Sequence, residues 1–182
     1  MKITLSQLCL ALGAGMILTH GWALLRAKPA AEWLRQFHRN YGLGVILMLL
    51  GTAWFEWNLY QEQLQDIAAY KNLMLIGFGA VGLGCCLFVR DFLSVRGLTV
   101  FLLMLAWLMC EKARWQDSNF RWAVAGWAYV WVLGGLWLSV SPWRLRDWLA
   151  WVTATEGRLK LAAAGGVVWG LFIGGLGLTV FK

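Results

Sequence analysis

Six apolar runs, each close to the length needed to cross a lipid bilayer, dominate this sequence. They cover approximately residues 4–25, 41–61, 72–90, 97–115, 120–141 and 160–181. An α-helix rises about 1.5 Å per residue, so about twenty apolar residues cross the ~30 Å hydrocarbon layer. The sequence therefore predicts an all-α integral membrane protein with about six transmembrane helices.

The composition argues against an ordinary soluble domain. Only 14% of the residues are charged and 60% are hydrophobic, whereas about a quarter of the residues in soluble domains are charged. The runs are continuously apolar and lack the alternation of a transmembrane β-barrel. We expect one transmembrane domain over residues 1–182 and a multi-pass location, which we assign to a bacterial inner membrane.

Three similar connecting segments suggest an internal repeat. They read EWLRQF at 32–37, DFLSVR at 91–96 and DWLAWV at 147–152. Each has an acidic residue, an aromatic residue and a leucine in the same order, and a glycine opens the span that follows. This pattern predicts three tandem helical hairpins, approximately 1–61, 62–119 and 120–182.

Two of the connections have the composition of short interfacial helices. Segments 31–41 and 142–160 are too charged to span a membrane but are rich in Trp, Leu and Phe. Pro29 and Pro142 lie near their starts, where a helix tolerates proline. Apolar rings on one face and arginines on the other predict amphipathic helices lying in the headgroup plane.

The distribution of basic residues predicts the orientation. Ten of the sixteen Lys and Arg residues fall in the first, third and fifth connections. Cytoplasmic loops carry an excess of Lys and Arg, so we expect these connections in the cytoplasm and both termini on the outer side. The net charge of +7 then reflects topology and attraction to anionic headgroups, and we expect no nucleic-acid partner.

A second repeat places an acidic residue near the end of two spans. GLGVILMLLGTAWFEW begins at Gly42 and GLTVFLLMLAWLMCEK begins at Gly97, and in each a glutamate follows the first glycine by fourteen residues. These are Glu56 and Glu111. About 21 Å of helical rise places them near the outer interface, so we interpret them as span-terminating acids. The alternative is an ion or partner site, because an acidic residue within a span is a functional candidate.

His20 is the only histidine inside a predicted span, which makes it the single candidate for cofactor binding. One histidine cannot supply both axial ligands of a haem, and His38 lies in the next connection, an awkward position for a second ligand. The simpler interpretation is a hydrogen-bonded histidine near the end of its helix. We predict no cofactor and expect bound lipids.

A set of aromatic and small residues has the spacing of a helix-packing surface. It comprises Trp127, Trp131, Gly166, Gly170 and Gly174. The two tryptophans share one helix face, and the glycines stand four apart, the small-xxx-small spacing that lets membrane helices approach closely. They could pack within the chain or against another subunit.

No catalytic motif or metal-binding motif can be assembled from the sequence. The first hypothesis is therefore a non-catalytic membrane subunit that packs against lipids and other transmembrane proteins in a larger complex. The second is a small transporter or channel for an ion or lipid that uses Glu56 and Glu111. The third is an accessory subunit for redox chemistry or light harvesting that binds a cofactor through His20.

Overall fold

The structure is a computed structural model that describes residues 3–62 and 68–181, and every regular element within those ranges is helical. The long helices are α1 (Leu5–Leu25), α3 (Tyr41–Gln61), α4 (Lys71–Phe88), α5 (Leu93–Arg114), α6 (Arg121–Val140) and α8 (Glu156–Thr179). The short helices are α2 (Ala27–Gln36) and α7 (Trp143–Val152). Lys2 and Lys182, two of the basic residues outside the first, third and fifth connections, lie outside the described residues.

The prediction of six spans is confirmed. Within the described ranges, six helices are long and apolar enough to cross a membrane, as a multi-pass membrane protein requires. The largest differences from the predicted bounds are at two helix starts. α5 begins at Leu93 and α8 at Glu156, because in each case the helix already includes the polar residues that precede the apolar run.

Local sequence explains where several helices start. Thr4 caps α1 through its side chain, which accepts a hydrogen bond from the Gln7 amide, and the Gln7 side chain accepts one from the Thr4 amide. Asn40 and Thr155 cap α3 and α8 in the same manner, each accepting from a backbone amide three residues on. These contacts satisfy amide groups that a helix leaves without a partner at its start.

The chain forms two compact units. Unit 1 contains residues 1–36, 105–131 and 146–182, and unit 2 contains residues 37–104 and 132–145. The three-hairpin division stays a prediction.

The antiparallel pair of α1 and α8 is the main contact of unit 1. The Ser6 hydroxyl donates to the Gly177 carbonyl oxygen at 2.8 Å. One heptad further along α1, a Cβ built on Gly13 would lie 2.7 Å from the Gly170 carbonyl oxygen. The two helices are therefore in direct backbone contact, which only glycine permits at these positions.

In unit 2, α3 packs against both α4 and α5. It runs antiparallel to α4, where the Phe55 and Phe78 rings make an edge-to-face contact with centroids 4.9 Å apart. It runs parallel to α5, where a Cβ on Gly44 would lie 2.6 Å from the Ser94 amide nitrogen and one on Gly51 would lie 2.8 Å from a Val100 methyl carbon. Within unit 2, the first halves of the two copies of the glutamate-ending repeat thus lie side by side and in the same direction.

Candidate functional site

A large cavity lies in unit 1, around His20. It has a volume of about 640 Å³ and is bounded by α1, α2, α7 and α8. Most of its lining is leucine and alanine, and three tryptophans, Trp22, Trp33 and Trp148, also face it. Cavities of this size and polarity are typical of small-molecule sites, in which a few polar groups fix the orientation of an apolar ligand.

The His20 ring has a defined orientation. Its Nδ1 lies 3.0 Å from the carbonyl oxygen of Met16. A carbonyl oxygen can only accept, so Nδ1 donates this hydrogen bond, and in the neutral ring the lone pair is on Nε2. No hydrogen bond to Nε2 occurs among the described residues. The nitrogen that can accept a hydrogen bond or bind a metal is therefore uncommitted.

Gly166 on α8 makes room for this ring. A Cβ built on Gly166 would overlap Cδ2, Cγ and Nε2 of His20 at nearly equal separations, so it would lie over the face of the ring. The face packs flat against α8, and Nε2 projects along the surface of that helix. A side chain at position 166 would push the imidazole away from the cavity wall.

A polar contact joins the two short helices that border this cavity. Arg35, near the end of α2, donates from Nε to the Thr153 hydroxyl at 3.0 Å and from Nη2 to the Thr153 carbonyl oxygen. Thr153 directly follows α7 and is buried. Beneath this contact, Ala30 of α2 and Val152 of α7 belong to one buried cluster. The border of the cavity is therefore held by side chains far apart in sequence.

The predicted packing residues all lie in unit 1. Gly166, Gly170 and Gly174 face α1, where a Cβ on Gly170 would lie 3.0 Å from the Gly13 carbonyl oxygen. The structure thus places these three glycines within the chain's own packing. The first helix supplies the other half of the contact, and a seven-residue spacing of Ser6, Gly13 and His20 is its sequence signal.

The predicted tryptophan pair belongs to a larger aromatic cluster. Trp127 and Trp131 make an edge-to-face contact with centroids 4.6 Å apart, and Trp127 also contacts Trp169 of α8 at 5.9 Å. Trp169 in turn lies 5.3 Å from Phe172. The Trp169 indole nitrogen is buried and has no hydrogen-bond partner among the described residues. The cluster connects α6 to α8.

Glu56 lies against α4. Its Oε1 is buried and has no hydrogen-bond partner in the described part of the chain. A Cβ built on Gly79 would lie 2.6 Å from that oxygen, so the glycine leaves space for the carboxyl group. The sequence interpretation placed this group in interfacial water, and the contact with α4 was not foreseen.

Glu111 is more open than Glu56. Its Oε1 lies 3.1 Å from the Lys112 Nζ, and the Glu111 side chain is 39% exposed. Glu111 belongs to unit 1 and Glu56 to unit 2. Within the described residues, no group of three or more His, Cys, Asp or Glu side chains could hold a metal ion.

Comparison with protein-family models, curated proteins and solved structures finds no match to this chain.

Proposed function

We propose that this chain is a non-catalytic membrane subunit that packs against lipids and other transmembrane proteins in a larger complex. The observation that supports this role most directly is the small buried fraction of three spans. Only 11% of the apolar window of α4 and 17% of the windows of α3 and α6 is buried within the chain. In the membrane, these faces contact either lipid or the helices of another protein.

The exposed side chains of these helices form continuous faces. On α6, Tyr129, Leu133 and Leu136 follow one another at helical spacing and are each more than half exposed. On α4, Ile76 and Leu83 stand seven apart and are exposed to a similar degree. Apolar faces of this length are what a transmembrane partner can cover.

The membrane arrangement that we propose has three hairpins, with α2 and α7 at the cytoplasmic interface. α2 is strongly amphipathic, with Trp33 on the cavity side and Arg35 among its polar residues. The Arg158 guanidinium lies 5.0 Å from the Trp151 ring centroid, an Arg–Trp pair suited to the headgroup level. The excess of basic residues in these connections supports the cytoplasmic assignment.

The test of the subunit role is recovery of partners. The full chain, tagged and expressed at its natural level, is extracted in a mild detergent, and native mass spectrometry measures its mass together with that of any bound proteins. We expect other membrane proteins at a fixed stoichiometry. Recovery of the chain alone, from membranes in which a known complex survives the same extraction, would contradict the proposal.

Two substitutions locate the partner face. Leu133→Trp on α6 and Ile76→Trp on α4 enlarge exposed side chains, which lipid tolerates and a packed protein interface does not. We expect one of them to reduce the recovery of partners while the thermal stability of the isolated chain is unchanged. If neither reduces recovery, these two faces contact lipid and the interface lies elsewhere.

A second candidate function, cofactor binding, is favoured by the cavity at His20. Its volume of about 640 Å³, the aromatic lining and the uncommitted Nε2 suit a flat apolar molecule carrying a metal or a hydroxyl group. The chain purified from its native membrane should then show visible absorbance or yield an extractable apolar compound. His20→Phe keeps an aromatic ring at this position but removes both ring nitrogens, so it should abolish that signal. A colourless, compound-free parent protein would remove this candidate.

A further inference from the structure

A second cavity, in unit 2, combines apolar walls with one cationic side chain. It has a volume of about 360 Å³ and is lined by residues of α3, α4, α5 and the end of α6. Its apolar walls are formed mainly by Met48, Phe55, Phe78, Val81 and Val100. This cavity is separate from the one at His20, whose lining belongs to unit 1.

The main polar groups of this cavity are hydrogen-bond donors without a partner. Arg96, Thr52 and Ser139 line it, and none of the three side chains makes a hydrogen bond or ion pair with the described residues. The Arg96 Nε is buried. A guanidinium can only donate, and a hydroxyl can donate as well as accept. A ligand that satisfies these donors would therefore carry several hydrogen-bond acceptors.

The charge of Arg96 favours an anion. The side chain as a whole is partly exposed, but its Nε–H is buried, and a buried donor on a charged group is destabilising unless it is hydrogen-bonded. The acidic residues that the structure describes in unit 2 are Glu56, Glu62 and Asp91, and none of them forms an ion pair with Arg96. An external anion would satisfy the charge, and the planar guanidinium matches a phosphate with two parallel hydrogen bonds.

The cavity is polar at one end and apolar at the other. Gly135 of α6 packs near Thr99 of α5. Ser139 follows Gly135 by about one helical turn, near the end of α6, and Arg96 precedes Thr99 by about one turn, near the start of α5. Both side chains therefore lie at the same end of the cavity. Phe55 lies seven residues, about 10 Å, further along its helix than Met48. A ligand with a charged head and an apolar chain has this distribution of polarity.

The apolar walls open toward the surroundings of the protein. Val81 and Phe78 on α4 are 62% and 44% exposed, so an acyl chain can enter sideways from a bilayer without passing through water. The lining contains no acidic residue to bind the ammonium group of a zwitterionic headgroup. These two features favour a net-anionic membrane lipid.

We propose that this cavity binds an anionic phospholipid, with its phosphate on Arg96 and Ser139 and one acyl chain along Phe55, Phe78 and Val81. The binding site rests on the membrane location of the chain but not on its role as a subunit. It is therefore tested on the isolated protein, where the failure to recover partners has no effect on the result.

Native mass spectrometry of the delipidated full chain provides the measurement. Phosphatidylglycerol, phosphatidylcholine with the same acyl chains, and oleate are titrated in parallel. We expect phosphatidylglycerol to bind about ten-fold more tightly than phosphatidylcholine, whose ammonium group finds no acidic partner in the lining, and than oleate, which has no phosphate. Equal binding of phosphatidylcholine would overturn the charge argument, and equal binding of oleate would overturn the assignment of a phospholipid.

Variants assign the binding to this cavity. Arg96→Gln should remove the preference for phosphatidylglycerol. Arg90→Gln removes the same charge from an exposed position in the connection before α5 and should change the affinity by less than about two-fold. Val81→Trp fills the apolar wall from the exposed side and should weaken binding with Arg96 intact, so it decides the question if Arg96→Gln does not fold. Full phosphatidylglycerol binding by the folded variants would contradict the proposal.

Discussion

The contact between α1 and α8 predicts opposite effects for two neighbouring glycine substitutions. A Cβ at Gly13 would lie 2.7 Å from the Gly170 carbonyl oxygen and 2.8 Å from the Gly174 Cα, whereas a Cβ at Gly15 would have no neighbour within 4 Å. Alanine favours the helix over glycine by about 0.5–1 kcal/mol at both positions. At Gly13 the added methyl group must also separate two backbones, an overpacking cost of about 1–3 kcal/mol.

The difference between Gly13→Ala and Gly15→Ala therefore isolates the packing cost. We expect Gly15→Ala to be as stable as the parent or up to about 1 kcal/mol more stable, and Gly13→Ala to be about 1–3 kcal/mol less stable than Gly15→Ala. The free energy of unfolding is measured by reversible titration with SDS in mixed micelles. Equal stability of the two variants would show that α1 and α8 are not in backbone contact.

Two further predictions concern charge and orientation. Glu111→Gln should lower the free energy of unfolding by no more than about 0–1 kcal/mol, since the pair with Lys112 is partly exposed. Glu56→Gln should leave the recovery of partners unchanged. Loss of ion flux in proteoliposomes by a variant whose complex is intact would instead favour the transport hypothesis. In a background without the native cysteines, a cysteine at Ser118 should react with an impermeant maleimide added outside and one at Thr155 should not; the reverse pattern would refute the orientation.

The sequence predicts the helices well because the bilayer imposes one dominant requirement. A backbone that crosses hydrocarbon must satisfy its own hydrogen bonds, so any apolar run of sufficient length becomes a helix. The predicted run 41–61 coincides with α3, and the run 120–141 differs from α6 by one residue at each end. The repeat that begins at Gly42 and Gly97 also had a structural counterpart, in the parallel packing of α3 and α5.

The partners of each helix could not be predicted in the same way. In water, polar and apolar faces show which side of a helix is buried, but in lipid both sides are apolar. Glycine spacing on α8 indicates a contact surface, and Ser6, Gly13 and His20 give α1 a seven-residue spacing of its own, yet nothing in the sequence pairs these two helices with each other. The two cavities depend on such pairings. In the sequence, Arg96 is one basic residue of a connection, and only the packing of the helices places it in a cavity.

The pairing of α1 with α8 also has a consequence for how the protein is made. The hydrogen bond from Ser6 to Gly177 joins residues 171 positions apart. Ribosomes add about 5–20 residues per second, so α1 is synthesised roughly 10–30 s before its partner helix. During that interval the face of α1 that carries Ser6 and Gly13 must lie against lipid, against one of the helices synthesised between α1 and α8, or against an insertion factor. A ribosome that stalls before Gly170 would therefore leave α1 unpaired in the membrane, where quality-control proteases could recognise the incomplete chain.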